Sequence, residues 1–392
     1  MAKRLAIPSD ELKLRIVGAY NYLDIPRVQR ITLNSDIPST DIYEIGNNQL
    51  AGTTTDTPNI TLTFSMFDVG IKGFAVLTGK DEAAYPSAGV DISELGEVDA
   101  IVYIKDAAVA DYVKSIHARR LQVQNFTFNY SVDGESSEEY TLIGSAKRLF
   151  KNDIIVDRFT AGTTSFSLSQ TPTLLKNGDY LLSVILDGEY LTEVTTTPGT
   201  GEYSVSGTTL TTGDTRTQQV IAVYRANPTG NNWQYISDTS MPAAVRGKDV
   251  KIVIAAEDIP RVQSVTINGN LNVQAVREMG NDNIVGYQRQ VPTVDGNLTV
   301  LDTDTELIDL LLNGSVNSGD VEFELGTECV SSGVGLEIRI YDPCNDTLLK
   351  TVYIPELVLT GDSYTSNVNQ NATYTLNWKS NTAQCIVYSG AR

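Results

Sequence analysis

The sequence predicts a mainly β protein: two copies of one sheet-and-helix unit with a β-sandwich inserted between them. Three observations carry this reading. The hexapeptide "DIPRVQ" stands at residues 24–29 and again at 258–263, an offset of 234 (260 − 26). Around both copies, short runs rich in Val, Ile, Thr, Tyr and Phe are separated by Gly, Asn, Asp and Ser, as strands are by turns. Between the copies lie roughly 100 residues of different character, long enough for a small domain of their own.

The repeat extends well beyond the hexapeptide. At the same offset Pro8 pairs with Pro242, Thr32 with Thr266, Asn34 with Asn268, Glu44 with Glu278, Gly52 with Gly286, Pro58 with Pro292 and Asp68 with Asp302. About 15 identities fall in about 60 ungapped positions, and other pairs exchange one aliphatic residue for another, such as Ile31 with Val265 and Leu33 with Ile267. Glycines, prolines and apolar positions are what a shared backbone requires, so the duplication concerns fold. It places one repeat at 1–150, an inserted module with its linker at 151–240 and a second repeat at 241–392.

Within the first repeat, strands are predicted at 12–17, 28–33, 60–66, 100–104, 122–130 and 140–143. The second answers with 250–254, 262–267, 298–301, 335–340, 351–359 and 374–378. A helix is well marked after Asp302, where Thr303 and Glu306 fit a capping box, Leu307, Leu310 and Leu311 share a face and Gly314 supplies a stop. Its counterpart at 69–79 is interrupted by Gly70 and Gly73. In the middle module "FSLSQTP", "VILDGEYL", "GEYSVSGTTLT" and "VIAVY" alternate in strand fashion, with Asp187-Gly188 and Ser206-Gly207 as hairpin turns. The polar stretch 225–243 reads as a returning linker.

Composition narrows the function. No apolar run approaches the length of a membrane-spanning helix, and the first residues lack the long apolar stretch of a secretory signal, so synthesis in the cytoplasm and no membrane contact are expected. The formal net charge is −19, a field that opposes adhesion to nucleic-acid phosphate. Cys329, Cys344 and Cys385 have no metal-ligand spacing and read as reduced thiols. The single histidine, His117, beside Arg119 and Arg120, reads as a surface residue, and one histidine leaves no room for a triad or a two-histidine metal site.

Candidate chemistry is confined to carboxylates. Asp302, Asp304 and Glu306 lack the glycine and distal glutamate of a calcium loop and are accounted for as a helix start. No phosphate-binding loop, nucleophile elbow or zinc signature is present, so neither a cofactor nor catalysis is expected. More informative is "GDVEFELG" at 319–326: a strand there would place Asp320, Glu322 and Glu324 on one face, with no Lys or Arg from 302 to 328 to relieve them. That face is either simply solvated or built to be negative. The long connections at 37–58 and 271–292 keep Glu44, Gly46 and Asn47 in one copy and Glu278, Gly280 and Asn281 in the other, which points to contact between subunits.

An "IPRV" strand, a long "EIGN" or "EMGN" loop, a strand after proline and a helix after aspartate resemble the tail tube proteins of long-tailed bacteriophages, which share a fold group with the inner tubes of contractile systems. The middle segment looks like the immunoglobulin-like modules of phage virion proteins. The resemblance implies a structural virion protein whose copies self-associate into stacked rings, three duplicated chains making a pseudo-sixfold ring. It implies a negatively charged lumen through which genomic DNA slides without specific binding, and tail terminator, baseplate or tail-tip proteins as partners. Asp320, Glu322 and Glu324 would then face the lumen, and the inserted sandwich would point outward. A virion decoration or host-glycan-binding protein, using aromatics such as Trp233 and Tyr235, is the alternative, and a carboxylate-dependent glycan hydrolase comes third.

Overall fold

The computed structural model describes residues 12–43, 45, 50–67, 70–106, 111–151, 154–160, 162–214, 219–226, 245–279, 284, 286–301, 307, 310–311, 334–368 and 371–392. The "GDVEFELG" segment with Asp320, Glu322 and Glu324, the helix-start residues 302–306, Cys329, Trp233 and Tyr235 lie outside them.

The fold is mainly β. In the first repeat, β1 (Leu12–Val17), β2 (Tyr22–Asp24), β3 (Val28–Asp36), β4 (Ser39–Tyr43), β5 (Leu50–Thr55) and β6 (Asn59–Met66) precede helix α1 (Ile71–Leu77). After it come β7 (Val90–Asp91), β8 (Glu97–Asp106), β9 (Asp111–Ser131), β10 (Ser137–Gly144) and β11 (Ala146–Phe150). The middle segment holds β12 (Ile154–Thr160), β13 (Ser165–Ser167), β14 (Leu181–Leu186), β15 (Glu189–Tyr190), β16 (Thr192–Glu193), β17 (Glu202–Ser206), β18 (Thr209–Thr212) and β19 (Gln219–Arg225). The second repeat runs through β20 (Val250–Ile254), β21 (Glu257–Asp258), β22 (Val262–Asn270), β23 (Val273–Val276), β24 (Gly286–Arg289) and β25 (Thr293–Leu301). It ends with β26 (Val334–Tyr341), β27 (Leu348–Thr365), β28 (Thr373–Ser380) and β29 (Ile386–Ser389).

Strands related by the repeat pair in the same way. The first half of β9 runs between β8 and β11, and its second half pairs with β10. Likewise the first half of β27 runs between β26 and β29, and its second half pairs with β28. Each long strand thus passes from one layer to the other, and alternation along the strands sends every second side chain between the layers. Phe64, Phe74, Phe128, Tyr140, Ile267, Leu298, Leu336 and Trp378 meet there in one apolar cluster shared by both repeats.

The duplicated hexapeptide is a turn that launches a strand. Pro26 fixes its own φ, and Arg27 and Arg261 occupy the left-handed region at φ 51° and 62°. The Arg27 carbonyl accepts from the Gln29 side chain and from the Phe67 backbone N–H, and the Arg261 carbonyl accepts from Gln263 and Leu301 in the same manner. These repeated bonds fix where β3 and β22 begin. Both strands open directly after the turn.

The helix expectations come out unequally. α1 forms despite its glycines, because Gly73 lies against the sheet: a Cβ there would meet the Met66 methyl at 2.6 Å. In the second repeat Leu307, Leu310 and Leu311 are helical, and Leu310 and Leu311 are buried at the positions that correspond to Val76 and Leu77.

Between the repeats, β12-β19-β14-β15 and β13-β18-β17-β16 form two facing sheets around Phe166, Tyr203, Leu210, Val184 and Tyr224. Asp187 and Gly188 both have positive φ, 50° and 86°, so the expected two-residue hairpin turn is present. All six residues of β14 are buried, since the other face of its sheet packs on Val17, Ile101 and Tyr103 of the first repeat. That contact overturns the surface placement of His117. The ring is 1 % exposed, and its Nε2 lies 2.9 Å from Asp99 Oδ2. Flanking arginines suggested solvent; a buried carboxylate on the neighbouring strand and the docked sandwich above it exclude solvent instead.

Candidate intersubunit interface

The two repeats join edge to edge. β9 and β22 pair antiparallel over seven residue pairs, from Asn125 opposite Asn270 to Ser131 opposite Ser264. The result is one continuous sheet of eight strands in the order β3-β6-β10-β9-β22-β25-β28-β27. On its inner side the seam stacks Tyr130 against Val265, Phe128 against Ile267, and Phe126 over Gly269, where a Cβ would come within 1.9 Å of the Phe126 ring. On its outer side Thr127 Oγ1 donates to Asn268 Oδ1 at 3.2 Å and Thr266 Oγ1 to Asn129 Oδ1 at 3.4 Å.

Behind the seam sits a buried ion pair. Lys350 of β27 binds Glu138 of β10 with both side chains fully buried, and Glu138 also accepts from the Tyr140 hydroxyl at 2.8 Å. The Lys350 ammonium lies 4.7 Å above the Phe128 ring. Burial, reinforced by Glu138, pushes the Tyr140 hydroxyl pKa well above its ordinary value, so Tyr140 stays a donor. A second polar cluster holds the inserted sandwich. Asp99 accepts from the Arg120 backbone N–H and the Tyr190 hydroxyl, both at 2.9 Å, and from His117 and Ser183. Burial alone would raise the Asp99 carboxyl, but the charge of His117 and these hydrogen bonds outweigh it and hold the pKa down to about 2.

The sheet has two ends. Among the described residues β3 pairs with β6 alone, and residues 359–365 of β27 pair with β28 alone. Unpaired edges of this kind are templates for further strands. The outer face of the sheet is mostly Thr, Ser and Asn, including Thr63 and Thr141 at 3.2 Å and Thr299 and Thr375 at 3.0 Å. Its described cations stand beside acids: Arg30 donates to Glu139 at 2.9 Å, and Lys379 is directly opposite Asp295.

The two long connections read from the sequence are β-hairpins, β4 with β5 and β23 with β24. Glu278 is exposed near the tip of the second; Glu44, Gly46, Asn47, Gly280 and Asn281 lie outside the described residues. The second hairpin docks on the first repeat, where Arg289 donates to the Ser93 carbonyl and to Gln122 Oε1, and Arg277 pairs with Asp56. The first hairpin exposes Ile42, Tyr43 and Leu50, with Tyr43 at 75 %.

Sequence reasoning missed both buried clusters. A signal was present: in "SEEYTL" the alternation that sends Tyr140 and Leu142 inward also sends Glu138 inward, and in "LLKTVYI" Lys350 is in phase with Val352 and Ile354. Two charges of opposite sign on inward positions of different repeats require each other.

Among the described residues no group of three or more potential ligands could hold a metal ion, and no helix is long and apolar enough to cross a membrane. No family model and no curated protein matches the chain. Solved structures are similar to part of it, two of them as follows. One is a chain of the virion of the native gene transfer agent particle, 18 % identical with a TM-score of 0.24, covering 38 % of this chain and 98 % of that one. The other is the tube-terminating cap of the anti-feeding prophage, 13 % identical with a TM-score of 0.27, covering 38 % of this chain and 95 % of that one.

Proposed function

We propose that this chain is a structural virion protein, the tube subunit of a phage tail, whose copies close into rings that stack around a DNA-conducting lumen. The observation that carries the reading is the eight-strand sheet with one seam already made inside the chain and two ends that, among the described residues, have no further strand beside them and are of the same kinds as the strands that made the seam. The ends differ from each other, so copies join head to tail, and such contacts end either in a closed ring or in a filament. Closure removes the edges.

Three copies supply about 24 strands; at ~4.8 Å between strands and a tilt of ~40°, the barrel circumference is about 150 Å and its backbone diameter about 48 Å. That bore exceeds the width of a DNA duplex even after side chains are added. A lumen lined by the outer face of the sheet would present hydroxyls and amides, with its described cations matched by acids, which leaves phosphates no adhesive site. Asp320, Glu322 and Glu324 would add negative charge to that lining. The exposed hairpins would clamp a neighbouring copy or the next ring, and tail terminator, baseplate or tail-tip proteins would cap the stack.

Electron microscopy of the purified chain, alone and after concentration, tests this. Rings or stacked tubes with a bore of roughly 40–50 Å at the backbone are expected from the geometry above. Particles that stay monomeric at every concentration would refute it.

A further inference from the structure

Resting on the tube reading, we infer that the contact between successive copies repeats the internal seam residue for residue, so its register is fixed by the chain's own duplication. The translation has two parts. β22 corresponds to β3 at the offset of 234, as the hexapeptide shows. β27 corresponds to β9 at an offset of 236 (360 − 124), because each strand carries one extra residue at the same place in its ladder. Gln124 is skipped between Asn125 and Val123 against β10, and Thr360 between Gly361 and Leu359 against β28.

Applied to the observed pairs, these offsets set Thr32 opposite Thr365, Leu33 opposite Tyr364, Asn34 opposite Ser363, Ser35 opposite Asp362 and Asp36 opposite Gly361. Leu271 N–H donates to the Gln124 carbonyl, so Ile37 N–H would donate to the Thr360 carbonyl of the next copy.

Burial supports the translation. Val265, Ile267 and Leu271 are at most 1 % exposed where β9 covers them, whereas their counterparts Ile31 and Leu33 are half-buried and Ile37 is 58 % exposed. On the other edge Phe128 is fully buried, and its counterpart Tyr364 is 58 % exposed.

Side-chain chemistry selects the register. Gly269 must be glycine because Phe126 lies over it; at the seam between copies both members change together, to Ser35, whose Oγ accepts from Lys147 and keeps its own proton to donate, and Asp362, whose Oδ2 accepts from the Tyr374 hydroxyl and whose other oxygen can accept from Ser35. The Thr127–Asn268 hydrogen bond has its counterpart in Ser363 and Asn34, again a hydroxyl facing an asparagine. A slip of two residues would set Leu33 against Asp362 or Ser366, and a slip of one would turn the apolar row outward.

The test uses cysteine pairs in the full chain with Cys329→Ser and Cys344→Ser. Asn268 and Thr127 form a pair without direct backbone bonds, since the bonded pairs, Leu271 with Gln124 and Val132 with Gln263, fall on the alternate positions. Such pairs have Cα atoms about 4.5 Å apart, within reach of a disulfide. Asn34→Cys with Ser363→Cys should therefore give a ladder of covalent multimers on mild oxidation. Asn34→Cys with Thr365→Cys should give less than about a tenth as much, and either single variant should give none. Rings that form but cross-link equally or better through the 34/365 pair, or through neither pair, overturn the register and leave the tube reading standing. Absence of both rings and cross-links overturns both. Independently, Tyr364→Asp should abolish assembly while leaving the melting transition of the monomer unchanged; persistence of rings would refute the seam.

Discussion

Replacing Lys350 with methionine would test what locks the two repeats together. Lys350 and Glu138 sit on different repeats, both fully buried, and the carboxylate also accepts from the Tyr140 hydroxyl. Methionine keeps most of the volume and the contact with the Phe128 ring but removes the cation. A buried carboxylate deprived of its partner costs about 3–5 kcal/mol, whereas replacing both partners by apolar groups of similar shape is often neutral. Lys350→Met alone should therefore lower stability by about 3–5 kcal/mol, a large share of the ~5–15 kcal/mol that holds a typical domain folded. At roughly 2–3 °C per kcal/mol for a chain of this size, the melting temperature should fall by about 10 °C. Adding Glu138→Leu should restore most of the loss, giving a coupling of at least ~2 kcal/mol in a double-mutant cycle. Urea unfolding followed by circular dichroism measures all four corners. A single variant costing less than ~1 kcal/mol, or a double variant as unstable as the sum of the singles, would show that the pair is not what joins the repeats.

Two further outcomes follow from the same geometry. Asp99 has a folded-state pKa of about 2, below the ordinary carboxylate value, so the stability it contributes is present above about pH 4 and is lost as pH falls through 2. That contribution is about 2 kcal/mol, and an Asp99→Asn chain should lack it: its stability, lower at neutral pH, should change less than that of the wild type between pH 4 and pH 2, whereas parallel curves would exclude the role. Gly269→Ala would drive a methyl into the Phe126 ring at the internal seam, at a cost of about 1–3 kcal/mol read by thermal unfolding, and an unchanged transition would mean that the ring moves aside freely.

Much of the fold was legible because alternation and turn chemistry are local. Strands were placed where Val, Ile, Thr and aromatic residues alternate, and Asp187-Gly188 announced its hairpin through the positive φ both positions require. The long connections read as specified but not as hairpins, since β4 and β5 bury almost nothing and β23 and β24 bury fully only Val273, so they carry little apolar periodicity. His117 was misplaced for a different reason. Its burial depends on the docking of the sandwich over β8 and β9, a contact between segments some 65 to 85 residues apart, of which the local sequence holds no trace. The unequal ends of the sheet were invisible too, because β3 and β22 share one apolar alternation and the sequence does not show which of them another strand covers.

That likeness accounts for how the duplicate strands have diverged. The seam within the chain forms during folding and is never presented to solvent, so Tyr130, Phe128 and Phe126 can be aromatic and Gly269 can be bare. At the corresponding places on the open edge stand Ser366, Tyr364 and Asp362, of which only the tyrosine offers a large apolar face. On the proposed assembly, an edge that waits for another copy could not carry three adjacent aromatics, because the free subunit would pair with itself or with unrelated strands. On the proposed assembly, polar replacements would weaken the seam between copies relative to the internal one, and a ring would recover the difference by closing, since each copy would then make two such contacts at once. On the proposed assembly, duplication makes half of the joints covalently linked and permanent, leaving only the polar half to be formed between chains.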